Sequence, residues 1–387
     1  MSDGSTHGVA VQPRGGLRTH TALYAAAPEQ LRRPAFLRLN RPSQLHAAGN
    51  AADVIVVAGE GLQGALAPLV EAHRRQGLAT MVVEVEDVFD EFSGGSVNPW
   101  ALRRFFQRAA TSWQGKPSYV LLAGDGSYDP RDYLGRGGNL VPVALVDTEV
   151  FETASDDWFV DFDGDGVGEL AIGRLPASSK DELAVMVDKI LRYEAAQRQP
   201  LRALLVADEP LLEAFSQVNE ELVEQLPTGT LAEYIDVERE GVLPARARLL
   251  DELARGWDLV HYSGHGTVDR WRQGVFTVAD ASALPAGRPP WVLTMANCLS
   301  GIFQEPLLAG LGEQLLRAPG GAALVWASTG STSAPPQKRL LAAFLAGAYG
   351  APAARVGDAV RAAKAGVTER DVRLTWVLLG DPTMRLR

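Results

Sequence analysis

Short apolar runs with almost no polar interruption recur along this chain, and the segments between them carry the three- and four-residue apolar spacing of helices. Val54-Ile55-Val56-Val57, Thr80-Met81-Val82-Val83-Glu84-Val85 and Tyr119-Val120-Leu121-Leu122-Ala123 are such runs, with helices predicted over 62–76 and 99–113 between them. A strand without polar alternation is one buried on both faces, and strand–helix–strand is the unit of a parallel sheet covered by helices. The same grammar continues: strands are predicted at 141–145, 201–207, 231–237, 257–261, 291–295 and 322–326, and helices at 180–195, 307–317, 338–349 and 353–364. The pattern predicts an α/β fold of two adjacent doubly wound subdomains with largely parallel sheets, whose functional loops lie beyond the carboxyl ends of strands.

Punctuation divides the chain. The first 50 residues mix Pro, Gly, Arg and His without periodicity and read as an irregular arm. Residues 51–197 read as the first α/β subdomain, and Ala196-Gln197-Arg198-Gln199-Pro200 as a junction. Residues 198–387 read as the second subdomain.

Charge and cysteine count narrow the function classes. With 37 basic against 47 acidic residues the net charge is −10, which argues against a broad phosphate-binding surface and hence against a nucleic-acid partner. No apolar stretch approaches the roughly 18 residues of a membrane helix, and the first 25 residues hold no apolar run of signal-peptide length. Cys298 is the single cysteine, so internal disulfides and multi-cysteine metal sites are excluded. A lone cysteine is by default inert packing; its neighbours decide.

Two segments carry chemistry. Trp257-Asp258-Leu259-Val260-His261-Tyr262-Ser263-Gly264-His265-Gly266 runs an apolar strand into a loop in which two glycines bracket a histidine. His265, lying furthest outside the strand, is the better candidate base. Thirty-three residues on, Val292-Leu293-Thr294-Met295-Ala296-Asn297-Cys298-Leu299-Ser300-Gly301 repeats that layout with the thiol just past the strand. Neighbouring strand ends would bring Cys and His together, where an imidazole lowers the thiol pKa and later protonates a leaving amine. Backbone N–H groups at Gly264, Gly266 and Cys298 are candidate oxyanion donors.

Taken with Val88-Phe89-Asp90-Glu91-Phe92, Leu122-Ala123-Gly124-Asp125-Gly126-Ser127-Tyr128-Asp129, Ala171-Ile172-Gly173-Arg174-Leu175-Pro176 and Leu379-Gly380-Asp381-Pro382-Thr383, these segments give the chain from Asp53 onward a resemblance. It resembles the gingipain-like cysteine peptidases, peptidase family C25, of caspase-like fold. The resemblance implies two side-by-side α/β subdomains and a His265/Cys298 dyad in the second. It also implies a protein or peptide substrate, a secreted or cell-surface setting, and an acidic residue from the first subdomain near the histidine, at Glu169. Members include peptidases cleaving after Arg or Lys and a sorting, transpeptidase-like branch, so a transpeptidase using the same dyad is a rival reading.

Asp161-Phe162-Asp163-Gly164-Asp165-Gly166-Val167-Gly168-Glu169 has carboxylates at positions 1, 3, 5 and 9 and Gly at 6, which is most of a calcium loop. Ile172 stands where the usual bidentate Glu would be. Asp161, Asp163 and Asp165 are the candidate ligands of a structural Ca2+, with Glu169 either ligating it or orienting His265; a solvated acidic turn is the plain alternative. This loop sustains a third reading, a non-catalytic calcium-stabilised binding module. Gly124-Asp125-Gly126-Ser127-Tyr128 lacks the completion of a phosphate-binding motif, so no organic cofactor is expected. Trp271, Glu305, Asp269 and the strand end Ala327-Ser328-Thr329-Gly330-Ser331 are candidate cleft neighbours; the oligomeric state is not legible.

Overall fold

The computed structural model describes residues 42–196, 200–210, 214–350 and 354–386, together with positions 27, 29 and 40. Most of the arm expected over 1–50 and the heart of the junction at 197–199 lie outside the described residues. Contacts divide the chain into 1–42 and 43–387, and everything below concerns the second unit.

Twelve strands are present among the described residues. In chain order they are β1 Val54–Ala58, β2 Thr80–Glu84, β3 Tyr119–Ala123, β4 Leu145–Asp147, β5 Glu152–Ala154, β6 Ala171–Leu175, β7 Arg202–Ala207, β8 Leu231–Asp236, β9 Leu259–Ser263, β10 Val292–Ala296, β11 Leu324–Ser328 and β12 Trp376–Leu379. β4 and β5 form a small antiparallel hairpin. The other ten make one sheet in the order β2-β1-β3-β6-β12-β11-β10-β9-β7-β8. Strands from 51–197 thus fill one half, strands from 198–375 the other, and β12 is the seam.

Every residue of β1, β3, β6, β9, β10, β11 and β12 is buried, as expected for strands covered on both faces; polar members such as Arg174 and His261 are buried with hydrogen-bond partners. In β1, Val54, Val56 and Ala58 face one apolar core and Ile55 and Val57 the other, so helices cover both sides of the sheet. The helix Lys180–Ala195 shows why such segments fold locally. Ser179 caps it by accepting the Glu182 N–H, Asp181 and Glu182 sit in its first turn and Arg192 in its last, and Leu183, Met186, Val187 and Ile190 form its buried stripe.

The seam reverses the sheet. β12 runs antiparallel to β11 but parallel to β6, so β1–β3 and β6 point opposite to β7–β11. The carboxyl ends of β9 and β10 therefore share an edge with the amino end of β6, not with its carboxyl end. β12 can lie against β6 because residue 173 is glycine: a Cβ there would sit 2.3 Å from the Gly380 carbonyl oxygen.

Beside the seam, Arg174 of β6 is fully buried and fully answered. It donates to Asp156 (2.8 and 2.9 Å) and to the carbonyls of Gly124, Val141 and Pro142, with its guanidinium over the Phe303 ring. Lys364, equally buried, donates to Asp157 at 2.5 Å and to the Trp376 carbonyl at 2.6 Å. Asp156 and Asp157, which open the acidic stretch, are thus structural anchors.

Candidate active site

β9 and β10 are adjacent and parallel, and their last paired residues are Ser263 and Ala296. His265 and Cys298 each lie two residues beyond that pair. The register alone therefore sets them at the same height on neighbouring strand ends.

Along β9 and the loop that follows it, the two histidines separate as the strand geometry dictates. His261 is fully buried; its ring bonds to Thr294 Oγ1 (2.7 Å) and Ser263 Oγ (2.8 Å), and burial pulls its pKa down to about 3. His265 is exposed. Its backbone is held from three sides: its N–H donates to Asp208 Oδ2 (3.0 Å), and its carbonyl accepts from the Tyr262 hydroxyl (2.8 Å) and the Arg272 N–H (2.9 Å). Its imidazole packs edge-on against Phe215.

Asp208 follows directly on β7, is buried, and also accepts the Glu209 N–H at 2.8 Å. Sequence reasoning missed it. The available signal was an acidic residue at the carboxyl end of a strand, but the partner lies 57 residues away.

Cys298 is half-buried, its Sγ 3.8 Å from Ser331 Oγ and 3.6 Å from the Thr332 carbonyl oxygen. The segment after β11 thus borders the thiol, as expected for Ser331, whereas Ser328 and Thr329 are buried and bonded within the fold. The turn carrying the thiol is strained. Leu299 has φ 68°, and the Ser300 N–H closes back on the Cys298 carbonyl at 2.9 Å, a tight γ-turn of the positive-φ kind.

Of the three oxyanion candidates, Gly264 is corrected: its N–H donates to the Ala296 carbonyl at 3.1 Å and belongs to the sheet ladder. The N–H groups of Gly266 and Cys298 donate to no described residue.

Glu169 sits elsewhere on the same edge. It precedes β6, which is four strands from β9, about 19 Å at ordinary strand spacing. Its carboxylate accepts the Phe162 N–H at 2.5 Å, and among the described residues no hydrogen bond or ion pair joins it to His265. The contact with His265 expected from the resemblance is thus not made among the described residues.

Glu169 instead meets the acidic loop. Asp161, Asp163 and Glu169 each bring a carboxylate oxygen within 4.8 Å of the others. Buried Asp161 is fixed by the Gly164 (2.7 Å) and Gly166 (3.0 Å) N–H groups. Asp165, expected as a ligand, turns away: it accepts the Val167 N–H at 2.7 Å and faces Arg373, 4.0 Å off. Three convergent hard oxygens are the donor type that suits a calcium ion rather than a softer metal.

The remaining candidates resolve into structure. Trp271 is buried and stacked on Tyr262 with ring centroids 4.0 Å apart. Asp269 pairs with Arg270, whose hydrogen bond holds its carboxyl below the usual range, and Glu305 accepts from the Tyr128 hydroxyl. Asp125 accepts from Gly126, Ser178 and Arg317, organising its own neighbourhood. No helix is long and apolar enough to cross a membrane among the described residues.

Comparison with known proteins agrees with this architecture. Gingipain R2 and gingipain R1 of Porphyromonas gingivalis are each 24% identical to the chain over 294 residues, which is 71% of this chain but 36% and 27% of theirs. The chain thus spans about a third of the length of these curated relatives. The crystal structure of the Arg-specific cysteine proteinase gingipain R superposes with TM-score 0.71 at 21% identity, covering 90% of this chain and 80% of that one. The complex of the pro- and mature domains of RgpB from the same organism gives 0.69 at 20% identity, covering 86% and 79%. These likenesses establish the α/β, caspase-like fold. Peptidase family C25 itself matches residues 47–387, nearly the whole described unit, and the chain belongs to that family of cysteine-type peptidases.

Proposed function

We propose that the chain hydrolyses peptide bonds through a Cys298/His265 dyad. The observation that carries this is the shared register: both side chains stand two residues past the paired Ser263 and Ala296 on adjacent parallel strands. His265 takes the Cys298 proton, and the thiolate adds to the peptide carbonyl carbon. The oxyanion faces the N–H groups of Gly266 and Cys298. Collapse of the tetrahedral species breaks the C–N bond, and His265 passes its proton to the departing amine. Water, deprotonated by the same imidazole, then releases the acid from the thioester and returns the thiol. Asp208 holds the His265 backbone in place throughout.

Alkylation of the thiol by iodoacetamide across pH 5–9 tests the reading without a known substrate. An activated Cys298 reacts well below its ordinary pKa of about 8.5 and loses that reactivity in His265→Ala. A thiol inert until denaturant is added would sink the proposal. On a cleaved peptide, Cys298→Ala and His265→Ala should each cost about 10³-fold or more in kcat/KM.

The acidic loop is proposed as a structural calcium site held by Asp161, Asp163 and Glu169. The ion would cross-brace the loop entering β6 and takes no part in proton transfer. At a hundredfold excess over its Kd, Ca2+ should raise the thermal midpoint by about 5 °C, a shift abolished by chelator and by Asp163→Asn. An unchanged midpoint would return the loop to a solvated acidic turn.

A further inference from the structure

The residue in front of the nucleophile is a buried asparagine, and its amide reaches the histidine loop through the hydroxyl of Ser300. Asn297 Nδ2 donates to Ser300 Oγ at 2.8 Å, and that hydroxyl donates in turn to the Thr267 carbonyl at 3.2 Å. Thr267 lies two residues after His265. The relay therefore starts beside Cys298 and ends beside His265, joining loops 33 residues apart.

Three further observations make this a joint rather than ordinary packing. Gly266 rests directly on the Asn297 amide: a Cβ at 266 would lie 2.2 Å from Nδ2 and 3.0 Å from Ser300 Oγ. The first turn of the helix Leu311–Arg317 then clamps both loops at once, the Gly312 N–H on the Ser300 carbonyl (3.0 Å) and the Leu311 N–H on the Val268 carbonyl (2.8 Å). Finally, Asn297 Oδ1 is buried without a hydrogen-bond partner among the described residues, a cost of about 1–3 kcal/mol that an apolar residue of the same size would avoid. What the amide supplies in return is its donor end.

We infer that Asn297, acting through Ser300, is the positioning residue that sets the distance between the Cys298 thiol and the His265 imidazole. This deepens the peptidase reading and rests on it. Asn297 does not touch substrate in this role; it fixes the spacing on which proton transfer from sulfur to imidazole depends, and errors of about 1 Å in such spacings cost about 10²-fold.

The test exploits the direction of the relay. In Asn297→Asp the shape is kept but the donor is lost, and the Ser300 hydroxyl must turn to the carboxylate, releasing the Thr267 carbonyl. Ser300→Ala cuts the relay at its middle. Both variants, with wild type and His265→Ala, are alkylated with iodoacetamide from pH 5 to 10. The wild type should react fast at neutral pH, and both variants should fall about tenfold there while matching wild type near pH 10, where every thiol is ionised. Because both changes cut one relay, the Asn297→Asp/Ser300→Ala double variant should fall about tenfold as well, not a hundredfold.

The outcomes separate cleanly. An inert wild-type thiol, or one indifferent to His265→Ala, defeats the peptidase reading itself. An activated wild-type thiol whose neutral-pH rate survives Asn297→Asp and Ser300→Ala overturns the inference alone. So does a double variant that falls by the product of the single effects, or a loss that persists near pH 10, since both mark general damage to the fold.

Discussion

Position relative to a strand end decides what each polar side chain does. His261 and His265 are four residues apart, yet one is locked inside the sheet and the other exposed at its edge. The sequence shows this distinction, because the apolar run ends between them, and the same argument nominates Cys298. Asp208 and the Asn297 amide escaped it, since their importance lies in partners from other strands. Because burial drives the His261 pKa down to about 3, the folded protein keeps that ring neutral where the unfolded chain, near 6.5, binds a proton. Stability contributed there is whole above pH 6.5 and drains as the pH falls towards 3, at up to about 1.4 kcal/mol per unit. Denaturant titrations from pH 7 to 4 should show this slope in wild type and a shallower one in His261→Asn. Arg174 makes a separate prediction: Arg174→Met strands Asp156 without its cation and should cost about 3–5 kcal/mol in the same titrations, since breaking a buried pair leaves a charge unpaired.

Strands and turns were legible to the extent that local sequence controls them. Of the doubly buried strands, β1, β3 and β10 were read to within a residue and β9 and β11 two residues early, while β6, interrupted by Gly173 and Arg174, was not read as a strand. The one predicted over 141–145 begins only at Leu145, because the carbonyls of Val141 and Pro142 are given to the Arg174 guanidinium instead of to a ladder. The helix Val85–Ser93 was read in part as strand, since its first residue continues an apolar run. β12 was missed altogether: four apolar residues directly after a helical turn carry no period of their own, and only its neighbours make it a strand. The touching loops of β9 and β10 yield a further prediction. Gly266→Ala would drive a methyl into the Asn297 amide, so the loops must part; the variant should lose about 10²-fold or more in kcat/KM and about 1–3 kcal/mol in unfolding free energy.

Across residues 43–387, the reading of two adjacent α/β halves gave the layers but not their relative direction. A parallel run looks the same whichever way its neighbour points, so the reversal at β12 had no local signature. It has chemical effects all the same. It puts the acidic loop, which enters β6, on the edge that carries the thiol and the imidazole, with β6 four strands from β9 in the sheet. Removing β12 should therefore do more than fray an end. A chain lacking 376–387 loses the pairing partner of both β6 and β11 and should show no cooperative unfolding transition by circular dichroism, where an edge-strand deletion would only lower the midpoint.

The seam strand also orders events in time. β6 leaves the ribosome some 200 residues before β12, and β11 about 50 before it, at a pace of about 5–20 residues per second. During that interval the two halves exist with raw inner edges facing the place that β12 will fill, and the strands bearing His265 and Cys298 have no fixed relation to the acidic loop. The nascent chain is thus exposed to wrong partners along two open edges, and its assembly hinges on four residues made only after both halves.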